Sequence, residues 1–227
     1  MDTQLPQYIV IEGPIGVGKT SLATKLAEQF NADLLLEDVL DNPFLEKFYE
    51  NPREAALSAQ LHFLLQRSRQ IQNLRQQDIF SSTRIADFML EKDKLFAKVN
   101  LSPDEYGLYE RVYEHLSVDA PTPDLVIYLQ ASPKVLMERI ERRARDYEKR
   151  IKLQYLEDLS SAYAEFFHRY DGSPLLAVNA SAADFVTDEK SYQNLLDEIL
   201  ATKAGRNYYN PSPYVINLLK RIPQAII

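Results

Sequence analysis

Five short apolar segments stand out along the chain, and none of them alternates strictly with polar residues. Runs rich in valine, isoleucine and leucine without alternation are typical of strands buried on both faces of a parallel sheet. Helix-like stretches separate these segments, so the pattern predicts an α/β fold with a five-stranded parallel sheet flanked by helices. The segments are QYIVIEG (7–13), ADLLLE (32–37), TRIADF (83–88), DLVIYLQA (124–131) and PLLAVNA (174–180).

The same pattern predicts the domain organisation. A long helical stretch, roughly residues 43 to 77, lies between the second and third predicted strands. No linker or repeat interrupts the order of elements up to residue 202, so we predict one domain over residues 1–202. Residues 203–227 break the pattern with Gly, Asn and Pro and then end apolar, which predicts a C-terminal extension. We expect its apolar end to dock on its own domain, because unburied apolar ends are a liability.

Composition and charge exclude several classes of protein. The chain has 227 residues, enough for one domain with a full core, and a formal net charge of −7, which argues against binding to nucleic acid or to an anionic membrane. It contains no cysteine, which excludes disulfides, thiolate catalysis and cysteine-zinc sites. With no signal-like start and no apolar run of membrane-spanning length, we expect a cytoplasmic protein.

A phosphate-binding motif follows the first predicted strand. Gly13, Gly18, Lys19 and Thr20 fit the pattern G-x-x-x-x-G-K-[ST], and a helical pattern comes directly after them. Backbone N–H groups and the helix N-terminus would hold the phosphates, Lys19 would reach the β- and γ-phosphates, and Thr20 would bind magnesium. The alternative, a chance glycine-rich turn, fits the strand–loop–helix context poorly. The predicted donor-binding residues of the loop are Gly13, Ile15, Gly16, Gly18, Lys19, Thr20 and Ser21.

A candidate for the acceptor site is Glu37, which ends the second predicted strand. Ligands of open α/β sheets bind beyond the carboxyl ends of the strands, which is also where the phosphate loop lies. Phosphoryl transfer to a hydroxyl benefits from a carboxylate that orients it or accepts its proton. The alternative is a solvated acid that leads into a loop.

The long helical stretch offers further candidates. Gln60 and Arg67 are two helical turns apart and share a face with Phe63 and Leu64. An amide, an arginine and an apolar platform on one stripe suit a flat ligand such as a nucleobase. The alternative is that Gln60 and Arg67 are surface residues, which is the commoner fate of both types.

A basic helix, ERIERRARDYEKR, follows the fourth predicted strand. Its arginines could close over the donor's phosphates and neutralise charge in the transition state. The alternative is a solvated helix face whose arginines pair with Glu138, Glu141 and Glu148. The arginines concerned are Arg139, Arg142, Arg143 and Arg145.

Together these stretches resemble the deoxynucleoside kinase family, and most nearly its bacterial deoxyguanosine and deoxyadenosine kinases. The likeness covers residues 7 to about 202, and its specific parts are DNPFLEKFY and QLHFLLQR. It implies an ATP- and magnesium-dependent kinase of the P-loop type that phosphorylates the 5′-hydroxyl of deoxynucleosides, with purines favoured, in nucleotide salvage. The family's members are usually dimers, so the resemblance also implies a homodimer.

On the acceptor side, the resemblance implies a role for each matching residue. Glu37 matches the carboxylate at the 5′-hydroxyl, and Tyr49 and Glu148 match the groups that hold the sugar 3′-hydroxyl. Gln60 matches the amide that pairs with the base, and Arg67 matches the arginine beyond it. The last residue carried over on this side, as an aromatic near the base, is Phe96.

On the donor side, the resemblance implies a mobile lid and a loop that contacts adenine. Arg139, Arg143 and Arg145 match the lid over ATP, and Arg143 is also carried over as a catalytic residue. Asp184 and Phe185 resemble the loop that touches the adenine of the donor.

One motif departs from the family's pattern. Where the family usually has Asp-Arg-Ser or Glu-Arg-Ser after the third strand, this chain has ADF. Asp87 has two possible correspondences. It either takes the position of the motif's acid, where it would act through magnesium or orient the hydroxyl, or occupies the position of the motif's arginine. The missing positive charge would then come from Lys92 or Lys94. The acid that reads the base in relatives has two candidates here, which are Glu91 and Asp93.

Two other functions fit parts of these observations. A nucleoside monophosphate kinase of the thymidylate kinase type shares the phosphate loop, but its acceptor is an anionic phosphate that needs arginine rather than the carboxylate of Glu37. The altered ADF motif also suits a non-catalytic switch or scaffold that binds ATP. The predicted catalytic residues of the favoured function are Lys19, Glu37, Asp87 and Arg143.

Overall fold

A parallel sheet forms the centre of the molecule. A computed structural model of the chain describes residues 6–76, 83–116 and 120–211. Six strands lie in the order β2-β3-β1-β4-β5-β6, and every neighbouring pair is parallel. The strands are β1 (Tyr8–Glu12), β2 (Asp33–Leu35), β3 (Arg84–Ala86), β4 (Leu125–Gln130), β5 (Leu175–Asn179) and β6 (Arg206–Tyr209).

Helices connect the strands and cover both faces of the sheet. Serine hydroxyls cap two of these helices: the Ser102 hydroxyl accepts from the Glu105 N–H, and the Ser132 hydroxyl accepts from the Val135 N–H. The helices are α1 (Lys19–Phe30), α2 (Leu45–Glu50), α3 (Pro52–Gln76), α4 (Glu91–Asn100), α5 (Pro103–Leu116), α6 (Pro133–Arg143), α7 (Leu153–Arg169) and α8 (Glu189–Ala201).

The core divides into two layers because successive strand residues point to opposite faces of the sheet. Ile9 and Ile11 of β1 belong to the cluster that packs against α1, α6 and α8. Val10 belongs to the cluster on the other face, which packs against α4 and α7. All three side chains are fully buried, which explains why the strands read as continuous apolar runs.

The carboxyl ends of β1, β2 and β3 meet at one edge of the sheet, because these strands are parallel neighbours. β1 leads into the phosphate loop, β2 leads to Glu37, and β3 leads to Asp87. The strand order also reverses at β1, which lies between β3 and β4. The fold therefore brings the phosphate loop and both carboxylates to the point of the sheet where ligands of α/β proteins bind.

The five predicted strands are confirmed, but the prediction of a five-stranded sheet is wrong, because β6 adds a sixth strand. Its sequence, RNYY, has no run of aliphatic residues, since β6 lies beside β5 at the end of the strand order. β6 begins after residue 202, and the domain division at that residue stays a prediction. The apolar segment 214–227 lies outside the described residues. Within the ranges that the structure describes, no helix is long and apolar enough to cross a membrane.

Candidate active site

The loop between β1 and α1 has the shape of a phosphate cradle. Gly16 has φ +82°, and a Cβ atom there would lie 2.9 Å from the Leu136 carbonyl oxygen on α6. Gly13 lies so close to β4 that a Cβ atom would approach the Leu129 carbonyl oxygen to 2.4 Å. Only glycine fits both conditions, so the motif's spacing reflects backbone geometry as well as ligand access. The first N–H groups of α1 receive no side-chain cap.

Lys19 lies at the first turn of α1 and folds back over the loop. Its Nζ donates to the Gly13 carbonyl at 2.7 Å and to the Pro14 carbonyl at 3.3 Å. Burial, together with the neighbouring positive charge of Lys92, lowers the pKa of Lys19 to about 8. A phosphate bound in the loop would favour the charged form of this lysine.

Thr20 and Asp87 form a pair beside the loop. The Thr20 hydroxyl donates to Asp87 Oδ2 at 2.6 Å, and Asp87 Oδ1 accepts from the Glu37 backbone N–H at 2.8 Å. The ADF motif left open whether Asp87 takes the position of the family motif's acid or of its arginine, and this contact favours the acid. The buried Phe88 then occupies the position of the arginine. A hydroxyl and one carboxylate fit Mg²⁺, which usually binds few protein oxygens and completes its shell with phosphate and water. The described residues hold no cluster of three metal-ligating side chains.

The carboxylate of Glu37 lies between two cations. Arg67 donates to Oε1 through Nε at 2.9 Å and also through Nη2, and Lys92 Nζ lies 2.8 Å from Oε2. Burial alone would raise the pKa of Glu37, but the charges of Arg67 and Lys92 outweigh it and hold that pKa far below its usual range. Glu37 is therefore a firmly ionised hydrogen-bond acceptor, and the solvated-loop interpretation is wrong.

A hydrogen-bonded wall continues from Glu37 along α3 and α4. Gln60 Nε2 donates to the backbone and side-chain oxygens of Asp93, at 3.0 and 2.8 Å. Arg67 Nη1 and the Tyr109 hydroxyl also donate to the Asp93 carboxylate. Gln60 and Arg67 are both buried, so the surface interpretation of these residues is wrong.

The hydrogen bonds of this wall fix the orientation of the Gln60 amide. Because both partners of Gln60 Nε2 are oxygens of Asp93, the amide cannot turn round without bringing oxygens together. Its Oε1 has no partner among the described residues and is thus available as an acceptor, and its pairing with a base stays a prediction. Of the two candidate acids, Asp93 joins the wall.

A second acid, Glu148, lines the same cavity. Glu148 accepts from Arg143 Nε at 3.0 Å and from Arg143 Nη2 at 2.5 Å. Tyr49 stacks on Tyr147 with ring centroids 6.4 Å apart. The sequence left open that the arginines of the basic helix pair with nearby glutamates, and the contact between Arg143 and Glu148 is one such pair. Both residues also line the cavity.

These groups surround one cavity of about 310 Å³. It is large enough for a small flat ligand and combines an apolar platform with convergent polar groups. The predicted site residues that line it are Ile15, Gly16, Lys19, Thr20, Glu37, Tyr49, Gln60, Arg67, Asp87, Phe96, Arg143, Arg145 and Glu148.

A second cavity of about 370 Å³ lies on the other side of the phosphate loop. Gly16 and Arg143 line both cavities, so the two meet there. Arg139 donates to the carbonyls of Val17 and Ala180, at 3.2 and 2.7 Å. The predicted donor-side residues that line this second cavity are Gly16, Gly18, Ser21, Arg139, Arg143, Asp184 and Phe185.

Two of these donor-side residues have structural contacts of their own. The carboxylate of Asp184 accepts from the N–H groups of Val186 and Thr187 and so closes its own turn. Phe185 is 6% exposed and belongs to the core that packs against α8. Their contact with the donor's adenine stays a prediction.

Sequence reasoning missed one buried acid beside the phosphate loop. Glu12, the last residue of β1, is fully buried and accepts from the N–H groups of Gly13 and Met89 and from the Tyr163 hydroxyl. Burial raises its pKa. A charged residue inside an otherwise apolar strand was the available signal, because acids are rarely buried without partners.

Comparisons with known proteins agree with this geometry. A family model described as "Deoxynucleoside kinase" matches residues 9–203. A deoxyguanosine kinase from Bacillus subtilis (strain 168) is 36% identical over 193 residues, which is 83% of this chain and 93% of that protein. A deoxyadenosine kinase from Dictyostelium discoideum is 34% identical over 217 residues, which is 91% of this chain and 84% of that protein. The solved structure of a deoxyadenosine kinase from M. mycoides with bound dATP is 28% identical, with a TM-score of 0.73, over 84% of this chain and 99% of that one.

Proposed function

Because this chain belongs to the deoxynucleoside kinase family, we propose that it transfers the γ-phosphoryl group of ATP to the 5′-hydroxyl of a deoxynucleoside, with purines favoured. The observation that carries this proposal is the position of Glu37. Its carboxylate lines the cavity with the base-facing wall, and its backbone N–H contacts the Asp87 carboxylate beside the phosphate loop.

Glu37 would hold the acceptor hydroxyl. With two donors of Arg67 on Oε1 and Lys92 on Oε2, the carboxylate is fixed in orientation, and Oε2 keeps a lone pair for the hydroxyl. The bond from the 5′-oxygen to phosphorus forms as the bond from phosphorus to ADP breaks, and the hydroxyl proton passes to Glu37. The transition state of such transfers is loose, so an acceptor that orients the hydroxyl suffices although its basicity is low.

Charge on the transferred group would be neutralised by the chain's own cations. Lys19 lies over the loop, and Arg143 lies where the two cavities meet. Thr20 and Asp87 would hold Mg²⁺, which when bound supplies further positive charge to the phosphates. Glu148 and Tyr49, which also line the cavity, would hold the sugar 3′-hydroxyl.

The two rival functions make different demands on this cavity. A thymidylate-type kinase binds an anionic acceptor, and the ionised Glu37 would repel it. A scaffold that binds ATP without transferring phosphate needs no acceptor cavity, yet one is present and is lined by polar groups that converge on it. Both observations support a nucleoside as the acceptor.

The test is an assay of the purified protein with ATP, Mg²⁺ and each deoxynucleoside or deoxynucleoside monophosphate. We expect monophosphates to form from deoxynucleosides and no diphosphates to form from monophosphates. Diphosphate formation would support the thymidylate-type function. ATP binding without transfer to any acceptor would support the scaffold.

The proposal has three further parts that rest on the family alone or on sequence. We expect a homodimer, to be checked by light scattering of the purified protein. We also expect a cytoplasmic protein that does not bind nucleic acid, in keeping with the net charge of −7.

A further inference from the structure

Lys92 is a buried lysine with only part of its hydrogen-bonding capacity used. Lys92 is 4% exposed, and its Nζ donates to Glu37 Oε2 at 2.8 Å. An ammonium group has three N–H donors, and within the described ranges Nζ has no second hydrogen-bond partner. Buried charges without full partners are costly, so such a group points to a ligand that completes it.

The surroundings of Lys92 show where that ligand lies. The side chain lines the cavity and has its Nζ 5.6 Å from the centroid of the Phe96 ring. Its charge acts on Glu12 at the end of β1, on Lys19, which spans the phosphate loop, and on Glu37. Nζ is therefore bonded to the acceptor carboxylate and close enough to the start of the phosphate loop for its charge to act there, on the wall of the cavity that the phosphoryl group would enter.

We propose that Lys92 is a catalytic residue whose spare N–H groups bind the phosphoryl group as it reaches the 5′-oxygen, so that it also holds the 5′-phosphate of the product. This inference rests on the proposed function for the identity of the ligand. It adds a cation on the acceptor side of the transferred group, opposite Lys19 on the donor side. The neighbouring Lys94 cannot do this, because its Nζ lies 4.4 Å from the centroid of the Tyr113 ring, and Lys94 does not line the cavity.

The test compares the binding of product and substrate by calorimetry. The Lys92→Met variant should bind deoxyadenosine 5′-monophosphate at least about tenfold more weakly than the wild type, because a charge-assisted hydrogen bond is lost. Its affinity for deoxyadenosine, which has no phosphate, should change less than about threefold. If Lys92 had a purely structural role, its removal would lower the affinity for both ligands alike, and that result would overturn the proposal.

Two further variants sharpen the test. Lys92→Arg keeps the charge and should retain most of the affinity for the monophosphate, whereas a loss equal to that of Lys92→Met would contradict a role for charge. Lys94→Met is the matched control and should bind both ligands as the wild type does.

In steady-state assays, Lys92→Met should lower kcat more than tenfold and leave KM for the nucleoside within about threefold. The binding measurements need no turnover, so they remain decisive even if no nucleoside is phosphorylated.

Discussion

At the scale of single residues, Arg67 joins the two halves of the acceptor cavity. Its guanidinium binds Glu37 on one side and Asp93 on the other, and Asp93 in turn holds Gln60. The side chains of Arg67 and Asp93 are almost completely buried. The amide of Gln60 and the carboxylate of Glu37 are thus linked through one side chain, whose planar fork suits two carboxylates better than a lysine would.

Removal of Arg67 should be strongly destabilising. Arg67→Met leaves the buried Asp93 without its cation and Glu37 with Lys92 alone, and we expect the free energy of unfolding to fall by about 3–5 kcal/mol. Chemical denaturation followed by circular dichroism measures this change. Arg69→Met, an exposed arginine on the same helix, is the matched control and should stay within about 0.5 kcal/mol of the wild type. Equal effects of the two substitutions would show that the network does not stabilise the fold.

At the residue level, the sequence predicts relative positions where a spacing rule applies. Gln60 and Arg67 share a helix face, and the motif fixes Lys19 and Thr20, so their positions followed from periodicity. The charge that accompanies Glu37 could not be assigned in this way. Lys92 and Lys94 are two residues apart and point in different directions on α4, and only the three-dimensional contact with Glu37 distinguishes them.

At the scale of elements, the contact between the phosphate loop and α6 aligns the site. Gly16 packs on the Leu136 carbonyl and the Ile140 side chain, so α6 lies directly against the loop. The same helix ends at Arg143, which lines both cavities. The position of this arginine therefore depends on glycine at position 16.

A single methyl group at this contact should disturb binding of the donor. In Gly16→Ala the new Cβ would lie 2.9 Å from the Leu136 carbonyl oxygen at a φ of +82°, so the loop must shift. We expect a loss of about 1–3 kcal/mol of stability and weaker ATP binding, measured by thermal unfolding and calorimetry.

The matched control is the glycine inside α5. Gly107 has open space around it and no positive φ, so Gly107→Ala should stabilise the protein by about 0.5–1 kcal/mol and leave ATP binding unchanged. ATP affinity of Gly16→Ala equal to that of the wild type would contradict the proposed packing role.

Prediction of elements from the sequence identified the buried strands but missed the edge strand β6. β1 and β4 are continuous apolar runs because helices cover both of their faces. β6 is short and pairs only with β5 in the described sheet, and its residues are mostly polar or aromatic. Such a strand forms through backbone hydrogen bonds to its neighbour, and its sequence has no hydrophobic pattern that predicts it.

At the scale of the whole molecule, the parallel sheet explains why the site lies where it does. Three strand ends deliver the phosphate loop, Glu37 and Asp87 to one edge, and α3 and α4 add the base-facing wall. Sequence order predicted this edge, because parallel strands share their direction. The depth of the site was not predictable, since Glu12, Arg67 and Asp93 are buried polar residues whose partners come from distant parts of the chain.

The central claim is that the ionised Glu37 orients the acceptor hydroxyl in line with the bound triphosphate. Measurement of kcat for Glu37→Gln with saturating deoxynucleoside and ATP tests it most directly, together with ATP affinity by calorimetry. We predict that kcat falls on the order of a hundredfold or more, because the hydroxyl loses its anionic acceptor, while ATP binding persists. A kcat within about threefold of the wild type would contradict it.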